Sequence, residues 1–206
     1  MALPKEPRQK MINLMYLVLT ALLALNVSSE ILNAFKVVDK SLGVSNASIT
    51  QSNDVLYKSL LSKVNDPTTA EKAKVWNEKA EQAKKLSADM DTYINQLKAD
   101  LKKEADLKLV DGVEQFKEDD LEAATRLFGN GPGGSNKGPE LEKKLKDYKA
   151  AMLNIDPEIR AQFEKSFPVD TSPQVGQDGK TKGFTEAFFH MTPTVAALTL
   201  LSKFQN

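Results

Sequence analysis

The feature that most constrains this chain is the run KMINLMYLVLTALLALNV from Lys10 to Val27, which after Lys10 carries no charged side chain until Glu30. As a helix, Met11 to Val27 is about 17 residues and roughly 25 Å long, the short end of what crosses a bilayer core. SSEILNAF follows without Gly or Pro, so the helix can continue out of the lipid into a soluble segment.

Three readings compete. A signal peptide is suggested by the basic start at Lys5, Arg8 and Lys10 and by the small residues Val27 and Ser29, and it predicts a mature N-terminus near Glu30. Against it, the run exceeds the usual h-region of 7 to 15 residues, no Pro or Gly breaks it, and Asn13 and Tyr16 lie inside it. A buried core helix needs a polar face, and Leu14 to Leu25 has almost none. The pattern therefore predicts a transmembrane helix over residues 11–29, with residues 1–10 cytoplasmic because Lys5, Arg8 and Lys10 outweigh Glu6 on that side.

At 100° per residue, Asn13, Tyr16 and Thr20 fall within about 60° of one another. A polar stripe of this kind is stabilised in hydrocarbon by hydrogen bonds to neighbouring helices, which points to a helix inside a bundle. For Thr20 a bond to its own backbone is the plainer account. The span holds no Asp or Glu, so any carboxylate that carries a proton must belong to a partner. Arg8 and Lys10 stand about one turn before the run, placed to snorkel to the lipid surface or to pair with such a carboxylate.

The remaining pattern predicts an all-α periplasmic bundle of about four to five helices over residues 30–206. Ile31, Phe35, Val38, Leu42, Ile49, Leu56, Leu60 and Val64 have helical spacing, with Gly43 as a possible perturbation. A second helix is expected from about Thr69 to Asp106, with Trp76 in its core or seam. EDDLEAATRLF is a shorter helical piece. Gly129 to Gly138 reads as a flexible linker, and without a G-K-[ST] ending or a preceding strand it does not read as a nucleotide loop. Pro139 opens another helix; Asp156 caps the next, with Pro157 at its first position. Asp178-Gly179 is a candidate hairpin turn. A last helix starts at Pro193 and is still running at Asn206, so further domains are expected beyond it.

Charge and residue inventory exclude several chemistries. With 28 Lys+Arg against 28 Asp+Glu, scattered along the chain, there is no basic footprint for nucleic acid. Absence of cysteine removes disulfides, Cys-ligated zinc and thiol nucleophiles. His190 is the only histidine and lies among Phe188, Phe189 and Met191, which suits packing or capping. Asp119 and Asp120 read as a solvated acidic face. No enzyme, cofactor or metal site is expected.

Two stretches carry a family resemblance. PRQKMINLMYLVLTALLALNVSSEILNAF, from Pro7 to Phe35, and TPTVAALTLLSKFQN near the end resemble the GldM/PorM proteins of gliding motility and type IX secretion in Bacteroidetes. The resemblance implies a non-enzymatic subunit of an inner-membrane motor driven by the proton-motive force. It further implies a homodimer whose membrane helices sit inside a ring of five GldL (PorL) subunits, with the periplasmic part relaying motion to periplasmic or outer-membrane secretion components. The family's juxtamembrane arginine falls on Arg8 and its membrane tyrosine on Tyr16, while the partner supplies the membrane glutamate. The alternative is a periplasmic adaptor that is only passively anchored in the lipid.

Overall fold

A computed structural model of the chain describes residues 7–25, 29–131, 133–176 and 179–206. Eight helices and two short hairpins appear among them: α1 (Pro7–Leu25), α2 (Ser29–Val64), α3 (Ala70–Glu104), β1 (Lys108–Val110), β2 (Val113–Gln115), α4 (Glu122–Phe128), α5 (Lys137–Leu153), α6 (Pro157–Phe163), β3 (Gln174–Val175), β4 (Thr181–Lys182), α7 (Phe184–Phe189) and α8 (Thr194–Gln205). The helical class is as expected, but the count exceeds four to five because loops between the long helices fold into short ones.

The core sits around the second half of α3. Met90, Ile94, Leu97 and Leu101 recur at helical spacing and meet Leu141 and Leu145 of α5, Phe128 of α4, Phe184 and Phe189 of α7, and Ala197 and Leu201 of α8. Phe128 and Phe189 stack with ring centroids 3.9 Å apart, both without solvent exposure. Burying rings of that size dominates a core's energetics, and the C-terminal ends of the two short helices α4 and α7 bring these two together.

The first half of α3 lies outside this core. Val75 is half exposed and Trp76 is 42 % exposed, with Lys79 Nζ 4.7 Å above its ring, so Trp76 is a surface residue and not the core or seam residue its spacing suggests. Helix α2, the longest, runs through Gly43 without a break and buries no side chain fully. Of its predicted apolar face, Phe35, Leu42, Leu60 and Val64 are half-buried, whereas Ile31, Val38, Ile49 and Leu56 are exposed.

Local signals account for most element ends. Asp156 caps α6, its Oδ1 accepting from the Glu158 amide at 2.7 Å, with Pro157 behind it as expected. Asp111 and Gly112, both at positive φ, turn β1 into β2 with Val110 opposite Val113, a hairpin the periodicity reading missed although Asp-Gly is its signature. The β3–β4 hairpin forms where a turn was expected; Gly179 has φ +72°, while Asp178 lies outside the described residues.

Helix α1 departs from expectation in one respect. Among the described residues, no helix is long and apolar enough to cross a membrane. Pro7, Arg8, Gln9 and Lys10 take up its first turn. From Met11 to Leu25 only about 22 Å remains, against about 30 Å of hydrocarbon. Residues 26–28, counted within the predicted span, lie outside the described residues.

Candidate functional site

The four residues singled out in the sequence all fall on α1. Asn13, Tyr16 and Thr20 share one face of the helix, are exposed, and are accompanied by exposed Leu14, Met15 and Leu17. Thr20 Oγ1 donates to the carbonyl of Tyr16 at 2.7 Å, the backbone bond that leaves its hydroxyl least free for a neighbour. Asn13 has no hydrogen-bond partner among the described residues. Arg8, about 80° around the helix from Tyr16, sits with Lys10 in the first turn, where no acidic residue accompanies them. The positive end of the helix dipole disfavours cations there by a few tenths of a kcal/mol each. Arg8 and Lys10 make no ion pair with a described residue, so an anion brought to this end would be doubly favoured. Among the described residues, no hydrogen bond or ion pair joins these four side chains to the domain that follows.

A second polar cluster escaped the sequence reading. Lys98 of α3 donates from Nζ to Ser202 Oγ at 2.7 Å and also to Gln205 Oε1; Ser202 in turn donates to Asp39 of α2. Gln205 Nε2 donates onward to Asn95 Oδ1 at 3.0 Å and to Asp91. Burial pushes the Lys98 ammonium below its ordinary pKa, and the negative charges of Asp39 and Asp91 oppose that shift. Three helices are thus joined by one chain of donors and acceptors. Alongside it, Thr199 Oγ1 donates to the Phe35 carbonyl at 3.3 Å, and Lys36 pairs with Glu118 at 2.6 Å. Polar contacts thus cross the seam between α2 and α8 at Phe35 and Asp39. A lysine between Leu97 and Leu101 was the only sequence hint of it.

Asp120, read as part of a solvated acidic face, is instead the hub at the start of α4. Its Oδ1 accepts from the amides of Glu122 and Ala123 at 2.8 and 3.1 Å, and its Oδ2 from Arg126 Nη2 at 3.1 Å. Its carbonyl accepts from the buried Thr194 through both amide and hydroxyl, which ties α4 to α8. Burial works against the charge on Asp120, yet those amides and the guanidinium hold its carboxyl below the usual range. Arg126 also reaches Glu104, its Nη2 donating to that residue's carbonyl at 2.8 Å.

The glycine-rich stretch is not a flexible linker. Gly134 N donates to Gly131 O at 2.9 Å, Ser135 N to Arg126 O at 2.8 Å and Asn136 N to Gly129 O at 3.0 Å. A Cβ at Gly134 would lie 2.4 Å from the Gly129 carbonyl oxygen. Helix α5 starts at Lys137, earlier than expected, with Pro139 in its first turn where a missing N–H costs nothing. This loop walls a groove of about 590 Å³ together with Thr125, Arg126, Glu142, Phe189 and His190. His190 stands at the C-cap position of α7 and is exposed. In the groove wall Thr125 Oγ1 accepts from the Met191 amide at 2.9 Å. Among the described residues no group of three His, Asp or Glu side chains is arranged to hold a metal ion.

What the geometry presents is therefore an exposed apolar helix with a cationic start, and a helical domain laced by polar seams. No curated protein matches the chain. Residues 30–206, nearly all of the helical domain, match the family model described as GldM N-terminal domain. The chain thus belongs to the GldM family, whose members are components of the gliding-motility and type IX secretion machinery.

Proposed function

We propose that this chain is a non-enzymatic subunit of a proton-motive-force-driven motor in the inner membrane. In this reading α1 inserts in the bilayer with its N-terminus in the cytoplasm, and residues 30–206 lie in the periplasm. Two copies place their helices inside a pentameric GldL ring and pass motion to secretion components further out.

The observation that carries the reading is the match over residues 30–206, joined to an α1 whose apolar side chains from Met11 to Leu19 are exposed, Ile12 being half-buried. An apolar length of about 22 Å inserts if the bilayer thins locally and flanking cations snorkel, as Arg8 and Lys10 are placed to do. Arg8, at a cationic helix start with no acid beside it, pairs in this reading with a carboxylate of the ring, and Tyr16 and Asn13 supply polar contacts within it.

Replacing Arg8 with Ala should abolish gliding or secretion while the membrane complex still co-purifies; full activity in R8A defeats the assigned role. Exchanging Met11–Leu25 for an unrelated apolar span separates a motor from a passively anchored adaptor, because the adaptor survives the exchange.

A further inference from the structure

The β1–β2 hairpin stands clear of the core. All six of its strand residues are exposed, and three of them are aliphatic: Leu109 is 74 %, Val110 41 % and Val113 61 % exposed. Exposed apolar residues scattered singly are ordinary, whereas a cluster of them marks a contact. The hairpin is also fixed in place. At its base Lys117 N donates to the carbonyl of Ala105 at 2.8 Å, along its side Lys102 Nζ pairs with Glu114 at 2.6 Å, and Asp111 and Gly112 turn it at positive φ.

The contacts of α2 put this hairpin at one end of the domain. Lys84 Nζ lies 5.0 Å over the Tyr57 ring, the Lys98–Ser202 bond reaches Asp39, and Lys36 pairs with Glu118 just past the hairpin. Helix α3 therefore runs antiparallel to α2, and its last turn, with the hairpin that follows, lies beside the first turns of α2. Lys36 is about 10 Å along α2 from Ser29. Ser29 follows Leu25, the last described residue of α1, by four residues, at most about 14 Å of chain. From Glu118 the strand back to Val113 reaches up to about 17 Å. A bilayer that holds α1 is within that reach.

We infer that the hairpin rests in the headgroup layer of that bilayer, with Leu109, Val110 and Val113 as its apolar contacts. The inference rests on the membrane reading above. The two faces of the hairpin decide between lipid and a protein partner. Val110 and Val113 pair across the strands and share one face, while Leu109, opposite Glu114, is on the other. A protein docked on one face leaves the other in water, whereas the interfacial layer wets both. Exposed Lys108 and Asp111 carry opposite charges, which suit the phosphate and ammonium groups of a zwitterionic lipid. The outer strand edges find water and phosphate there, which the hydrocarbon below lacks, so the contact is shallow.

Three aliphatic side chains bind a surface weakly on their own. Here α1 holds them beside it, so the second contact is intramolecular. A single anchor leaves the domain free to swivel; a second point of contact removes that freedom and sets the domain's tilt.

The chain has no cysteine, so single-cysteine variants carry one probe each. In the full chain reconstituted into vesicles of phosphatidylethanolamine and phosphatidylcholine, a fluorophore on Leu109→Cys or Val113→Cys should be quenched by headgroup-attached spin labels several-fold more than one on Asn65→Cys, about 50 Å along α2 from Ser29. Met15→Cys with acyl-chain spin labels reports α1 separately. Quenching at Met15→Cys with none at Leu109→Cys and Val113→Cys overturns the hairpin contact and leaves the membrane reading standing. Quenching at the hairpin without any at Met15→Cys supports the lipid contact and defeats the insertion of α1. Absence of quenching at all of these positions defeats both. Equal quenching at Asn65→Cys overturns the inference, as does photo-cross-linking from Leu109 to another protein in place of lipid in native membranes.

Discussion

Lys98 Nζ lies 2.7 Å from the hydroxyl of Ser202, and Ser202 passes the contact on to Asp39, so that a half-buried ammonium links the three helices α3, α8 and α2. Helix α2 buries no side chain fully, and this polar chain is one of its points of attachment to α3 and α8.

Replacing Lys98 with Met keeps the aliphatic stem but leaves Ser202 and Gln205 without their cationic donor, a loss of about 1–3 kcal/mol when buried polar groups lose a partner. Urea denaturation at neutral pH measures it. The pH dependence has a definite sign. Because the folded-state pKa of Lys98 lies below its ordinary 10.5, the unfolded chain binds the proton more readily in the alkaline range. Wild-type stability should therefore gain from this residue as pH rises through the folded value toward 10.5, and K98M should lack that gain.

Asp120 predicts the opposite edge of the pH scale. Its carboxyl is held below the usual value, so its contribution is fully present above the unfolded pKa and is lost as pH falls through the folded one. Asp120→Ala should cost about 1–2 kcal/mol at pH 7, the usual loss of a helix cap. The difference from wild type should close in acid. A gap that persists unchanged at low pH would show that the carboxylate charge is not what stabilises α4.

Two glycines should respond in opposite directions to the same substitution. A Cβ on Gly138 would lie 2.3 Å from Thr185 Oγ1 and 2.6 Å from the Phe128 carbonyl oxygen; the hydroxyl can turn away, but the carbonyl is backbone. Gly138→Ala should cost about 1–3 kcal/mol, as overpacking does. Gly43, inside α2, has nothing within 4 Å of its Cβ position, so Gly43→Ala should stabilise by about 0.5–1 kcal/mol. Thermal unfolding of both variants tests the contrast.

The stacked pair Phe128 and Phe189 anchors the short helices to the core. Phe189→Ala should destabilise by about 3–5 kcal/mol, and native-state hydrogen exchange should rise first in α4 and α7. A uniform rise across α2 and α3 would instead mean that the domain unfolds as one unit.

Sequence periodicity alone determined the long helices, because a 3.6-residue apolar spacing sustained over ten turns has no strand alternative. It also determined the cap at Asp156 and the final helix after Pro193, whose signals are local. The family motif in Pro7–Phe35 pointed to Arg8 and Tyr16, which the fold then set in one helix. Periodicity does not say which of two apolar lines on a helix meets a neighbour. Trp76 and Val38 have the spacing of core residues and lie in the open, since the core closes around the second half of α3 and leaves them no partner. The Lys98–Ser202–Asp39 chain and the Asp120–Thr194 link join residues far apart in sequence. Such contacts exist only once the helices have packed, which is why tertiary structure alone decided them.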